Sequence, residues 1–309
     1  MKGAILPACF STLDRGRITL YIKKQYVDKF PDQDIEKLLN LHKDMNQLKI
    51  LYHGRSPCRG LSINGLNGGG LVVKDYWHGG LFGKILRDFF WQKLRPLNEL
   101  SICETAIERG INTIEIIAIV KNRVMGPLYK CKLISKEIIN TIDLMVLLSH
   151  LSENYTLTQK RQIIKGIAMA VRKMHDAGIY HGDLHLKNIL VQSKDNKEFS
   201  VFIIDLDKSR QFEKIGFNKR MKNIMRLDRS LEKFIMNNRD VYHGGYPFPI
   251  DKSDKARFLK EYLRSGAKPI RQNSGVSDEP LRFYLQSYPA TTHKLHRLWW
   301  RFVRIWKNL

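Results

Sequence analysis

YHGDLHLKNILVQ, residues 180–192, crowds His181, Asp183, His185, Lys187 and Asn188 directly against an apolar run that reads as a strand. Charged side chains held against a strand are costly to desolvate unless a ligand or a metal uses them. Downstream, NILVQ and FSVFIIDLD flank the polar turn SKDNKE, which predicts a hairpin. Such a hairpin returns the chain end carrying Asp205 to the start of the first strand, next to Asn188. An aspartate can take or orient the proton of an attacking hydroxyl. An amide oxygen and a second carboxylate are hard ligands suited to Mg²⁺. Isolated Asp and Asn residues in loops usually form turns or cap helices. Asp183, Asn188 and Asp205 acting together, in this order, favour chemistry. Asp207, two residues on, is the alternative ligand to Asp205, which has the strand-end position.

Working outward, residues 158–177 predict a helix with Ile163, Ile167, Ala170, Val171 and Met174 on one stripe and Gly178 as its stop. Toward the N-terminus, residues 17–27 read as a strand, followed by a short helix that buries Ile35, Leu38 and Leu39. Residues 48–84 alternate strands with glycine-bearing turns, a meander of antiparallel strands. Lys74 ends the strand GLVVK, and the helix expected from Arg95 to Glu108 offers Glu99, Glu104 and Glu108 as carboxylates able to hold that ammonium. The same helix carries Leu97, Leu100, Ile102, Cys103, Ala106 and Ile107, and Gly110 stops it. The turn HGRSPCRG, with Gly54 and Gly60, stands where a cradle of backbone amides for phosphate would belong, although it lacks the GxGxxG pattern. Strands near 114–120 and 128–134 come next, and helix dominates from about residue 141, with further helices at about 219–235, 253–265 and 291–308. The change of character predicts an α+β protein in two units, residues 1–135 and 136–309.

Asp183 and Asn188, separated by LHLK, have the H-x-D-x-x-x-x-N spacing of a kinase catalytic loop. That loop alone indicates only a kinase-like fold. VKDYWHGGLFGK (73–84), NELSICETAIERGI, HGDLHLKN, IIDLDKS and RLDRSLEKF together make the chain resemble the bacterial lipopolysaccharide kinase family, especially the kinases of 3-deoxy-D-manno-octulosonic acid (Kdo). The resemblance covers roughly residues 48–234. It implies a two-lobed protein-kinase-like α+β fold, with a small antiparallel-sheet lobe and a mostly helical one. It also implies ATP-dependent phosphorylation of a sugar hydroxyl in the lipopolysaccharide inner core, at the cytoplasmic face of the bacterial inner membrane. By that resemblance Asp183 is the catalytic base, Asn188 and Asp205 hold Mg²⁺, and Lys74, held by Glu99, clamps the phosphates. Its spacing to Gly110 favours Glu99 over Glu104 and Glu108. "HGD" and "DLD" replace the HRD and DFG of regulated protein kinases and no APE-like segment follows, so control by loop phosphorylation is not expected. His185 and Lys187 fall inside the loop without an assigned role. Two other readings share the scaffold: a heptose or protein kinase, and a non-catalytic basic protein that binds membrane or RNA.

Composition sets the partner class. Lys and Arg number 53 against 30 Asp and Glu, a net +23, which points to a polyanionic partner such as an anionic membrane or a phosphorylated glycolipid. Nucleic acid is not expected, because charge alone favours it and no aromatic-rich strand signature is present. No apolar run approaches the ~20 residues of a membrane span. Leu6-Pro7-Ala8-Cys9 mimics a lipoprotein cleavage site, yet the apolar segment before it is shorter than the ~7–15 residues of a signal core, so residues 1–10 are expected to lead into the fold. Cys9, Cys58, Cys103 and Cys131 lie far apart without metal-site spacing, which suits a reducing cytosol. The tail THKLHRLWWRFVRIWKNL largely segregates Leu295, Leu298, Trp299, Phe302, Trp306 and Leu309 from its basic residues, so it reads equally as a packed helix or as a helix lying in a membrane interface.

Overall fold

Hydrophobic runs of two kinds build the molecule. The computed structural model describes residues 6–44, 48–52, 58–63, 70–76, 88–91, 95–150, 154–194, 198–238 and 250–264. Gly54, the WHGGLFGK segment and the tail helix expected at 291–308 lie outside the described residues.

The first part is an antiparallel sheet. Its strands are β1 (Phe10–Arg15), β2 (Ile18–Lys23), β3 (Ile50–Tyr52), β4 (Cys58–Leu61), β5 (Leu71–Asp75), β6 (Phe90–Trp91), β7 (Ile116–Met125) and β8 (Leu128–Lys136). They are ordered β1-β2-β7-β8-β5-β4-β3, with β6 also paired to β8. The expected meander is present as β3-β4-β5. Between β2 and β3 lie the short helix α1 (Lys24–Val27) and α2 (Asp32–Asp44). Between β6 and β7 comes α3 (Arg95–Glu108). Residues 116–120 of β7 read IIAIV without polar alternation because both sheet faces are covered there. Ile116 and Ile119 join a core with Leu100 and Cys103 of α3, whereas Ile117, Ala118 and Val120 join Leu38 and Leu41 of α2. Ile107, in the last turn of α3, remains 37% exposed. Cys9 and Phe10 lead into the fold: Lys24 donates its N–H to the Cys9 carbonyl at 2.8 Å, and Phe10 is buried.

The second part is mostly helical. It contains β9 (Thr141–Asp143), α4 (Leu144–Ser149), α5 (Leu157–Asp176), β10 (Ile179–Tyr180), β11 (Ile189–Lys194), β12 (Glu198–Ile203), β13 (Arg210–Gln211), α6 (Phe217–Asn237) and α7 (Lys252–Arg264). Helix begins at Leu144 rather than 141, because residues 141–143 are drawn into a ladder with β11 and the Asp143 carboxylate then caps α4 through the Val146 N–H at 2.9 Å. Helix α5 starts at a capping box between Thr156 and Gln159 and stops at Gly178, whose φ is +73°. The β11–β12 hairpin pairs Ile189 with Ile203. The larger core runs without a break from Leu100 and Tyr129 of the sheet part to Leu147, Ile163 and Leu227 of the helical part. Among the described residues no helix is long and apolar enough to cross a membrane.

Candidate active site

The loop after β10 is built by alternation. Leu184 and Leu186 are buried anchors, so Asp183, His185 and Lys187 between and after them stay at least partly in solvent. Its first residue, His181, is fully buried and holds the loop's shape. Nδ1 of His181 accepts the Asp183 N–H at 3.0 Å, so the proton sits on Nε2, which faces the Ile204 carbonyl at 3.0 Å. Burial pushes its pKa down, which keeps the ring neutral. Gly182 is required sterically, since a Cβ there would come within 2.2 Å of the Lys208 carbonyl oxygen.

Asn188 closes the loop. Its side-chain Nδ2 donates to the Asp183 carbonyl at 2.9 Å, and its backbone carbonyl accepts the Ile204 N–H at 3.0 Å. The amide nitrogen is thereby engaged within the loop, and the chain leading to Asp205 is tied alongside. Asp205 has φ +62° and ψ +57°, a left-handed conformation uncommon outside glycine and costly unless the surroundings enforce it. The Asp205 carboxylate is held by Lys74. Its Nζ lies 2.6 Å from Asp205 Oδ1 and 3.7 Å from Glu99 Oε1.

The β5 register places Lys74 opposite Leu133 in the middle of the sheet, and α3 carries Glu99 to it from the other side. Glu99 is fully buried, accepts a hydrogen bond from the Tyr76 hydroxyl at Oε2, and has no hydrogen-bond partner at Oε1. Burial pushes the Glu99 carboxyl up, opposed by the Lys74 charge. Burial would lower Lys74, but Glu99 and Asp205 outweigh it and raise the ammonium pKa. Burial likewise works against the Asp205 charge, yet Lys74 holds that carboxyl below its usual range. Glu104 pairs instead with Lys23 at 3.1 Å, and Glu108 is exposed. So of the three carboxylates on α3, it is Glu99 that the fold brings to Lys74.

Asp183 faces Lys208 Nζ at 3.7 Å, His185 Nε2 at 3.9 Å and Arg226 Nη1 at 4.0 Å. Burial lowers the His185 pKa, leaving the lysine and the arginine as the permanent cations. Arg226 also bonds the Gly182 carbonyl. The backbone carbonyl of Asp207 accepts from Asn98 Nδ2 at 3.3 Å, which ties the segment after Asp205 to α3.

Gly60 departs from expectation. It lies inside β4 opposite Val72, and its N–H is taken by the Lys49 carbonyl at 2.8 Å, so that amide cannot cradle a phosphate. Its lack of a side chain is explained by packing, because a Cβ would press on Leu51 at 3.2 Å. Hard-cation binding fits Asn188 and Asp205: one amide and one carboxylate oxygen source on segments joined by the Ile204–Asn188 bond, with phosphate and water needed to complete the shell. Among the described residues no group of three His, Cys, Asp or Glu could hold a metal without such help.

The family model described as lipopolysaccharide kinase (Kdo/WaaP) matches residues 59–262. The chain belongs to that family. A 3-deoxy-D-manno-octulosonic acid kinase from Vibrio cholerae serotype O1 is 34% identical over 166 residues, covering 52% of this chain and 65% of that protein. The enzyme of the same name from Mannheimia succiniciproducens is 30% identical over 190 residues, 60% of this chain and 75% of that one. The chain thus spans just under two thirds of the length of the Vibrio cholerae relative. A solved structure, WaaP in complex with acyl carrier protein, superposes with a TM-score of 0.55 at 20% identity, covering 85% of this chain and 96% of that one. The shared fold is the two-lobed protein-kinase-like α+β fold.

In this member of the family, a buried polar network beneath the loop was not legible beforehand. Asn223 of α6 accepts the His181 N–H at 3.2 Å and donates to the His181 carbonyl at 2.7 Å. His175 of α5 lies 3.0 Å from Asn223 Oδ1 through Nε2 and 2.8 Å from the Tyr262 hydroxyl of α7 through Nδ1. The only hint in the sequence was an asparagine on the apolar stripe of an otherwise basic helix. His175 is fully buried, and desolvation pushes its pKa down to about 4. An unfolded histidine titrates near ~6.5 and binds a proton that the folded one refuses, so this contribution is complete above ~6.5 and is lost as pH falls toward 4. The contribution of His175 to the unfolding free energy should therefore fall by ~3 kcal/mol across that window. In His175→Gln the slope should flatten; an unchanged slope would assign it to other groups.

Proposed function

We propose that the protein is an ATP-dependent kinase that phosphorylates a sugar hydroxyl, that of Kdo, in the lipopolysaccharide inner core. The observation that carries this is the convergence of Lys74 on Glu99 and Asp205, at 3.7 and 2.6 Å, beside a loop in which Asn188 is bonded to Asp183. Lys74 pairs with the α- and β-phosphates, and Glu99 fixes its position. Asn188 and Asp205 would hold Mg²⁺, which supplies charge neutralisation on the phosphate oxygens. Asp183 accepts the proton as the acceptor oxygen bonds to the γ-phosphorus, and the bond from that phosphorus to the bridging oxygen breaks to release ADP. Kdo is itself an acid, and Lys208 and Arg226 beside Asp183 are suited to a carboxylate next to the reacting hydroxyl. The net +23 charge supports a peripheral position on the cytoplasmic face of an anionic inner membrane, where a lipid-linked acceptor resides.

The test offers purified protein Mg-ATP with lipid-linked Kdo, heptosylated core or a generic protein and follows phosphate incorporation. Incorporation into the Kdo lipid is expected. Incorporation confined to heptose or protein would change the acceptor, and failure to bind Mg-ATP would revive a non-catalytic scaffold.

A further inference from the structure

The sheet ends at the β1–β2 and β7–β8 turns in a tip that bears none of the groups placed in catalysis. The β1–β2 turn carries Arg15 and Arg17, and Arg123 of β7 donates its N–H to the Arg17 carbonyl at 2.8 Å. The three arginines line one hollow of about 310 Å³ with Ile18, Asn122 and Val124, and among the described residues no acidic one joins them. The neighbouring Asp14 is engaged by the Thr19 hydroxyl at 2.7 Å. Like charges gathered from different segments repel, and an anion between them removes the repulsion. Guanidinium groups suit phosphate oxygens in particular.

The same tip exposes apolar side chains. Met125 is 72% exposed and Val124 37%, at the β7–β8 turn, and Trp91 of β6, opposite Leu128, is 61% exposed. They make up three of the ten large apolar side chains exposed among the described residues, gathered at one end of one sheet. Apolar groups and a tryptophan rimmed by guanidiniums match the boundary between phosphate headgroups and acyl chains. A nucleic acid or a free phosphate would meet the arginines but offer Met125 and Val124 no apolar phase.

We propose that this tip, Arg15, Arg17 and Arg123 with Val124, Met125 and Trp91, is a docking surface for an anionic phospholipid bilayer. Along β8, Leu128 at the tip lies five residue steps from Leu133, the partner of Lys74, a span of ~17 Å at ~3.4 Å per residue. Docking here holds Lys74 near a lipid-linked acceptor. The inference rests on the membrane-surface reading for its partner and not on the nucleotide chemistry.

The experiment sediments the full chain with vesicles of phosphatidylcholine alone or of phosphatidylcholine with phosphatidylglycerol, at rising salt. Wild type is expected to bind the anionic vesicles only, and more weakly as salt rises. The combined Arg15→Glu, Arg17→Glu, Arg123→Glu variant should lose on the order of 10²-fold in affinity, at roughly fivefold or more per arginine. Met125→Asp should lose several-fold while keeping the salt dependence. An unchanged thermal midpoint verifies folding in each case. Wild type that ignores anionic vesicles overturns the membrane reading itself. A charge-reversed variant that still binds them as wild type does sinks this site alone. Displacement of wild type from vesicles by millimolar inorganic phosphate at constant ionic strength would make the hollow a site for the free anion and overturn the docking claim.

Discussion

Asp183→Asn is expected to lower turnover by ~10²-fold or more while Mg-ATP affinity stays within about twofold. The substitution removes a proton acceptor and little else. The loop's internal bonds run through the Asp183 backbone, its N–H to His181 and its carbonyl from Asn188, and both survive the change. The side chain is 35% exposed and flanked by Lys208 and Arg226 at 3.7–4.0 Å, so its neighbours remain solvated rather than stranded. The loss should therefore fall on kcat, with nucleotide binding by calorimetry and the thermal midpoint as controls. A variant with near-normal turnover would remove Asp183 from the chemistry. A variant that also loses nucleotide would make it a structural residue.

Elements whose signal is local could be read from the chain alone, and those created by long-range pairing could not. Helix Arg95–Glu108 and the β11–β12 hairpin declare themselves by period and turn chemistry. The IIAIV run of β7 has no period, because α2 and α3 cover its two faces from distant positions in the chain. Thr141–Asp143 looks helical until β11, some fifty residues later, offers it a ladder. The chemistry-bearing residues divide in the same way. Spacing singled out Asp183, Asn188 and Asp205, and the fold sets the first two in one bonded loop with the third tied beside it. The resemblance already favoured Glu99 over Glu104 and Glu108, and the sheet supplies the physical reason, since Lys23 claims Glu104 and so separates two carboxylates that share a helix. Gly60 misled because a glycine in a turn-like string can equally be one whose missing Cβ makes room for a neighbour, here Leu51. His175 gave no local sign, and Asn223 only its place on an apolar stripe, because their partners lie on three separate helices and the loop.

Lys74→Met should abolish detectable turnover and also destabilise the fold in a pH-dependent way, which separates its two roles. Glu99 is fully buried with one oxygen lacking a hydrogen bond, so the Lys74 ammonium is the charge that compensates it. Removing one partner of a buried pair costs ~3–5 kcal/mol. The lower end applies here because Lys74 is 24% exposed and the Tyr76 hydroxyl still donates to Glu99. Burial already pushes the Glu99 carboxyl up, and without Lys74 nothing comparable opposes it. A folded carboxyl titrating above its unfolded value of ~4.3 favours the folded state only while protonated, so the penalty is small at pH near ~4 and grows as pH rises. The difference in unfolding free energy between wild type and Lys74→Met, measured at matched pH, should therefore widen from acid to neutral. Matching the pH cancels the separate titration of His175. Adding Glu99→Gln to Lys74→Met should recover most of the lost stability and none of the turnover, because the amide needs no counter-charge but the phosphates still lack their cation. If Lys74→Met were as stable as wild type at neutral pH, Glu99 would not depend on it. If the double variant recovered turnover, Lys74 would have no part in holding the nucleotide.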